Sequence, residues 1–193
     1  IPVHFLMKIT GKKIIFPFYH YIDSSTNENL LTTNLYNTKN ESEFLKDLRF
    51  LKKNFSSISL NDLKDKSYLN NRYSFLLSFD DGLLNFYNTV SPILEKEKIF
   101  AINFLNTDFI NNKNLFFRYK VNILINVLKK NTITNIQEQS ILKTLRIKNF
   151  DSLNELILIL KSLGYSDIQT IDKLCLILNV KTEKILLEKR PYL

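Results

Sequence analysis

The feature that most constrains the fold is the largely apolar run Tyr73–Phe79, which ends at two adjacent aspartates and a glycine, Asp80, Asp81 and Gly82. A continuous apolar run of strand length is typical of a strand that is buried on both faces, as in a parallel sheet. Asp is rare in strands and neighbouring carboxylates repel each other, so the pair needs a reason. Ligands of parallel α/β sheets bind where the strands end, and Gly82 permits a sharp turn there. The run therefore predicts a parallel sheet with a functional site at Asp80 and Asp81.

Other segments extend this sheet. Lys13–Tyr19 has the β-branched and aromatic residues of a buried strand, interrupted by Pro17, which removes one ladder donor. After the Asp pair, Ser91–Lys98 is predicted as a helix that Ser91 caps, and Ile99–Leu105 as the next buried strand. A strand, a helix and a second strand in this order form a βαβ unit, so the sequence predicts an α/β fold with parallel strands.

One helix precedes the Asp pair. Asn40 and Glu43 have the spacing of a capping box, and the apolar residues that follow recur at helical spacing to about Asn54. The polar stretch Ser24–Asn40 lacks periodicity, and it is predicted to be a long surface loop.

Beyond Asn114 the pattern becomes helical throughout. Five helices are predicted, over Lys120–Leu128, Ile136–Leu145, Ser152–Leu163, Ile168–Leu178 and Thr182–Glu188. We therefore divide the chain into an α/β part, residues 1–114, and a helical part, residues 115–193.

Composition excludes several classes of protein. The 193 residues are 45% hydrophobic and 24% charged, which fits one globular domain with a real core. Cys175 is the single cysteine, so no disulfide framework or CxxC site is expected. No apolar run is long enough for a membrane span, and the start has no signal-peptide layout. The compartment stays open, with the full-length protein either cytoplasmic or associated with the cell envelope.

The net charge of +8 raises the question of whether the protein binds nucleic acid. The basic residues form scattered pairs, with no Arg-rich run and no RNA-binding aromatic motif. We therefore expect no nucleic-acid partner.

The motif at the site resembles a known one. Ser78-Phe79-Asp80-Asp81-Gly82 matches, with Ser for Thr, the Thr-Phe-Asp-Asp-Gly motif of the polysaccharide deacetylases (the NodB-homology group, carbohydrate esterase family 4). Phe18-Tyr19-His20 is similar to the Tyr-His that opens many bacterial members. The resemblance covers about residues 14–120. It implies part of an irregular (β/α) barrel, in which the helical part at the C-terminal end is an insertion.

The resemblance also implies an activity. Members of this family are metal-dependent hydrolases of amide bonds, which remove N-acetyl groups from a polysaccharide. Asp80 would be the general base that deprotonates water. Asp81 would bind a divalent metal, usually Zn²⁺. The expected partner is an N-acetylated polysaccharide.

The chain departs from the family in its histidines. The family completes its metal site with a His-x-x-x-His-like pair on a later helix, whereas this chain has only His4 and His20, both before the Asp pair. A single carboxylate does not hold zinc, because catalytic sites normally have three protein ligands. We expect that the chain stops before the second motif, which Arg190-Pro191-Tyr192-Leu193 approaches, and that it is inactive alone. The alternative is a non-catalytic relative that acts as a binding module.

Two further residues are candidates for substrate binding. His20 lies just past a predicted strand, and Asp108 follows the strand Ile99–Leu105 at the edge that carries the Asp pair. His20 also has a structural interpretation, as a hydrogen-bonded histidine. The Asp pair has one too, as a helix cap with a turn residue. Glycosyltransferases that use nucleotide sugars also have Asp-Asp-Gly at a strand end, but here Leu83-Leu84-Asn85 follows in place of their Ser and Asp.

Overall fold

The computed structural model describes residues 2–23, 34–35, 37–70 and 73–193. These residues form two compact units. The first contains the described residues of Ile1–Asn27, Lys39–Asn111 and Pro191–Leu193, and the second those of Glu28–Thr38 and Asn112–Arg190. Most of the loop predicted over Ser24–Asn40 lies outside the described residues.

The first unit contains the strands, and each ladder between them is parallel. The strands are β1 Ile14–Ile15, β2 Phe18–Tyr19, β3 Ile22–Asp23, β4 Lys39–Asn40, β5 Ser56–Ser57, β6 Ser74–Phe75, β7 Leu77–Phe79 and β8 Ala101–Asn103. They are ordered β1-β6-β5, β2-β7-β8 and β3-β4. The predicted parallel α/β structure is confirmed. The described strands do not close into a barrel, so the (β/α) barrel stays a prediction.

The three strands nearest the Asp pair end at one level. Tyr19 of β2 and Asn103 of β8 both lie opposite Phe79 of β7. The ladder continues one step further, since the Asp80 amide donates to the Tyr19 carbonyl at 3.1 Å and the Phe104 amide to the Phe79 carbonyl at 2.7 Å. Asp80 therefore stands at the carboxyl edge of a parallel sheet.

Four α-helices belong to the first unit: α1 Val3–Thr10, α2 Glu41–Asn54, α3 Leu60–Lys64 and α4 Ser91–Glu97. The predicted capping box of α2 is confirmed, because the Glu43 amide donates to Asn40 Oδ1 at 3.0 Å and the Asn40 amide to Glu43 Oε2 at 2.9 Å. The prediction that Ser91 caps α4 is wrong. Ser91 is itself helical, because a π-helical turn, Phe86–Val90, runs directly into α4.

The core of the first unit lies beneath the end of β7. Its buried residues are Met7, Ile22, Phe44, Leu48, Leu51, Phe55, Phe75, Leu77, Phe79, Val90, Leu94 and Ile99. The Phe79 ring contacts the rings of Tyr19, Phe44 and Phe86, with centroids 5.6, 6.0 and 5.0 Å away. Such aromatic pairs add about 0.5–1.5 kcal/mol each to the burial of their area. Packing below Phe79 thus holds the strand end that carries Asp80.

The second unit is helical. Its α-helices are α5 Phe117–Lys130, α6 Asn135–Leu145, α7 Leu153–Ser162, α8 Ile168–Ile177 and α9 Thr182–Lys189, which confirms the five predicted helices. Its core is built from the apolar faces of α5, α6, α7 and α8. Cys175 is among the buried residues, and burial raises the pKa of its thiol to about 11. None of the helices in the part of the chain that the structure describes has the length and hydrophobicity that a bilayer span requires.

One ion pair links α5 to α8. Lys120 Nζ lies 2.6 Å from Asp172 Oδ1, and the exposed fractions of the two side chains are 12% and 51%. Replacing Asp172 by alanine would leave the lysine charge largely buried without its carboxylate. We expect Asp172→Ala to lower the free energy of unfolding by about 1–2 kcal/mol, between the values for exposed and buried pairs.

The comparison variant for this pair is Lys120→Met, which removes the buried charge and keeps most of the packing. It should cost less stability than Asp172→Ala. Urea denaturation of both variants measures the two losses. A larger loss in Lys120→Met would contradict the prediction.

Candidate functional site

Asp80 and His20 come together at the carboxyl edge of the sheet. His20 Nε2 lies 3.7 Å from Asp80 Oδ2, and their side chains are 36% and 38% exposed. This distance is longer than a hydrogen bond, so the contact is an ion pair when the imidazole is protonated. Both groups remain accessible to water and to a ligand.

The turn after Asp80 has an unusual backbone. Asp81 has φ of 74° and Gly82 has φ of 60°, both in the left-handed region. A Cβ on Gly82 would lie 2.9 Å from Leu105 Cδ2 and 3.4 Å from its Cα. Glycine is therefore required at residue 82 both for its conformation and for the close approach of Leu105.

The turn is also held by residues that are distant in sequence. The Leu193 amide donates to the Gly82 carbonyl at 3.0 Å, and the Leu84 amide donates to the Pro191 carbonyl at 2.8 Å. Leu83 and Tyr192 form an antiparallel bridge between these two bonds. The Tyr192 ring is 2% exposed and stacks on Phe109 with centroids 5.0 Å apart. A third bond joins the Asn111 amide to the Leu193 carbonyl at 3.0 Å. Residues 191–193 thus fix the backbone beside Asp81.

His20 lies between two anchored positions. On one side, the Tyr19 hydroxyl donates to Asp47 Oδ2 at 2.9 Å, and Lys39 Nζ contacts the same oxygen. Burial, and secondarily the hydrogen bond to Asp47 and its charge, raises the pKa of the Tyr19 phenol well above its usual range. The phenol therefore keeps its proton and remains a donor. On the other side, Ile22 is fully buried.

Sequence reasoning missed Asn85, which binds the backbone of Ile22. The Ile22 amide donates to Asn85 Oδ1 at 3.2 Å, and Asn85 Nδ2 donates to the Ile22 carbonyl at 3.0 Å. The partners are far apart in sequence, and no local pattern marks this asparagine.

The structure places Asp108 in the turn after β8, the strand beside β7. The Asp108 amide donates to Asn106 Oδ1 at 3.1 Å, and the residue is exposed. Its assignment to substrate binding stays a prediction.

The described residues do not fit a catalytic zinc ion on their own. Among residues 2–23, 34–35, 37–70 and 73–193, no group of three or more His, Cys, Asp or Glu side chains is arranged to hold a metal. Catalytic zinc normally has three protein ligands, and Asp81 can supply one.

Comparison with known proteins gives little further guidance. No family model and no curated protein matches the chain. Among solved structures, it is similar to a deacetylase of Streptococcus pyogenes, PplD, determined in complex with acetate. The identity is 21%, the match covers 84% of this chain and 80% of that one, and the TM-score is 0.40. A likeness of this size does not establish a shared fold or activity.

Proposed function

We propose that the complete protein is a polysaccharide deacetylase, which hydrolyses N-acetyl groups on a carbohydrate polymer. The observation that carries the proposal is Asp80, a partly exposed carboxylate at the carboxyl edge of a parallel sheet with the His20 imidazole 3.7 Å away. This edge is where α/β enzymes bind their ligands. The reaction class comes from the resemblance of Ser78-Phe79-Asp80-Asp81-Gly82 to the deacetylase motif.

In the proposed reaction Asp80 is the general base. Its carboxylate takes a proton from water while the water oxygen bonds to the acetyl carbonyl carbon. The carbon–nitrogen bond then breaks, and the nitrogen gains the proton that the water gave to Asp80. The products are acetate and a polymer with a free amine. General base catalysis of this kind typically contributes about 10²–10⁴-fold to the rate.

His20 and Asp108 are proposed to bind the substrate. An imidazole can donate a hydrogen bond to a sugar hydroxyl or to the acetyl oxygen, and a carboxylate can accept one from a hydroxyl or an amide. Because His20 contacts Asp80, a substrate bound to it would lie near the proposed base.

The proposed cofactor is a divalent metal, with Zn²⁺ favoured by the resemblance. Asp81 would be one of its ligands, since a carboxylate oxygen is a common zinc ligand. The described residues do not complete the ligand set. The remaining ligands are therefore proposed to belong to other parts of the complete protein.

The test is acetate release by the complete protein. Polymers that carry N-acetyl groups should yield acetate and free amine in equal amounts. Polymers that carry only O-acetyl groups serve as the control and should yield no acetate, since the proposed reaction breaks a carbon–nitrogen bond. A chelator should stop the reaction, and an added divalent metal should restore it. If the folded protein released no acetate from any N-acetylated polymer, the alternative of a non-catalytic binding module would replace this proposal.

A further inference from the structure

The side chain of Asn85 pairs with a whole peptide segment of another strand. Its Oδ1 accepts from the Ile22 amide at 3.2 Å, and its Nδ2 donates to the Ile22 carbonyl at 3.0 Å. One amide thus satisfies both backbone groups of a residue in β3, as a neighbouring strand would. Its second amide hydrogen is directed to Thr89 Oγ1 at 3.3 Å, which fixes the orientation of the side chain.

This pairing joins the two segments that form the candidate site. Asn85 follows the Asp80-Asp81-Gly82 turn, at the start of the helical segment that leads into the π-helical turn Phe86–Val90. Ile22 follows His20 after one intervening residue, Tyr21. The hydrogen bonds between Asn85 and Ile22 therefore connect the segment that carries the proposed base directly to the segment that carries His20.

The backbone of His20 is then fixed at both ends. Before it, the Tyr19 carbonyl accepts from the Asp80 amide at 3.1 Å. After it, Ile22 is bound by Asn85, and its own side chain is fully buried. Only His20 and Tyr21 lie between Tyr19 and Ile22, so the imidazole can occupy only a limited range of positions.

We propose that Asn85 is a positioning residue, which holds the His20 imidazole beside the Asp80 carboxylate by binding the backbone of Ile22. The inference rests on the proposed function for its catalytic consequence, but its structural content is independent of any activity. Asparagine is required because one side chain must both accept and donate. Aspartate would accept only and would place a charge against the Ile22 carbonyl, and alanine would do neither.

The structural test uses the imidazole signals of His20 in the complete protein. With ¹⁵N-labelled histidine, the His20→Gln variant identifies these signals. Asn85→Ala should shift or broaden them because the ring leaves its position beside the carboxylate, and Asp80→Asn should do so because the carboxylate itself is removed. The matched control is Asn54→Ala, which removes an asparagine of α2 whose Nδ2 donates to the Phe50 carbonyl at 2.8 Å. The control should leave the His20 signals in place.

A kinetic test separates positioning from general stability. In a protein that releases acetate, Asn85→Ala should lower kcat/KM by about ten- to a hundredfold, as misplacement of a site group does, and should raise KM because His20 is proposed to bind the substrate; a smaller folded fraction would lower kcat alone. Asn85→Asp should lose at least as much as Asn85→Ala, because its carboxylate keeps the acceptor but repels the Ile22 carbonyl. Unchanged His20 signals in a folded Asn85→Ala protein would overturn the proposal.

These experiments distinguish a failure of the proposed function from a failure of the inference about Asn85. If wild type releases no acetate, the proposed function fails while the His20 signals still decide the inference. If Asn85→Ala does not fold, hydrogen exchange of the wild-type Ile22 amide decides it. A slow exchange supports the pairing, and exchange as fast as in an unfolded chain contradicts it.

Discussion

Replacing Asp80 by asparagine in the complete protein should lower the rate of acetate release by about 10²–10⁴-fold, because the amide cannot take the proton of the attacking water. Asparagine has nearly the same shape as aspartate, so the backbone bond from residue 80 to the Tyr19 carbonyl should persist. Initial rates at saturating polymer measure the effect. Stability should change little, since the Asp80 side chain is 38% exposed.

The control for this variant is Asp65→Asn, the same chemical change at an exposed residue that follows α3. Its rate should equal that of wild type. If Asp80→Asn stayed within about threefold of wild type, the assignment of Asp80 as the base would be wrong, because the loss would be far below that of a general base.

Replacing Gly82 by alanine should destabilise the protein most among the three glycines. A side chain at φ of 60° costs about 1–3 kcal/mol, and the added Cβ would also press on Leu105 at 2.9 Å. The strain lies in the turn that carries Asp81, so the site should lose activity together with stability. Chemical denaturation and acetate release measure the two losses.

The other two glycines separate the two expected causes of the loss, which are backbone strain and the contact with Leu105. Gly11 has φ of 65° with no heavy atom within 4 Å of an added Cβ, so Gly11→Ala tests the backbone strain alone. Gly164 has φ of −102° and ordinary contacts at 3.8 Å, so Gly164→Ala should be close to neutral. Equal losses for Gly82→Ala and Gly11→Ala would show that the contact with Leu105 adds nothing.

Local patterns predicted the strand end and its surroundings well. The apolar run Tyr73–Phe79 was predicted as one parallel strand because side chains buried on both faces leave a continuous signal, and the structure divides it into two parallel strands, β6 and β7. The capping box of Asn40 and Glu43 was predictable because both partners lie within one turn of helix. The position of His20 at a strand end was predictable in the same way, but its place beside Asp80 depends on the pairing of β2 with β7, which the sequence did not reveal.

Local patterns failed where another signal was stronger. Ser91 with Pro92 has the form of a helix start, but the helical segment that begins after Gly82 continues through the π-helical turn Phe86–Val90 and overrides it. The helix α1 was not predicted, because Pro2 supplies no side-chain cap to mark its beginning.

The contacts that complete the site depend on the tertiary structure. Asn85 meets Ile22 and Tyr192 meets Leu83 only after distant segments of the chain come together. Neither pair carries a spacing that a single sequence reveals. The role of Asp108 in substrate binding and the metal at Asp81 remain predictions.

The hydrogen bond between Asn111 and Leu193 has a consequence for how the gene can change. The chain leaves the first unit after Asn111 and returns at Pro191, so the helical stretch between them departs from and rejoins neighbouring points. A segment whose two ends are adjacent can be lengthened, shortened or exchanged with little effect on the positions of those ends. Changes in the length of this segment are therefore easier to accept than a change of Tyr192, whose bridge to Leu83 closes the turn beside Asp81.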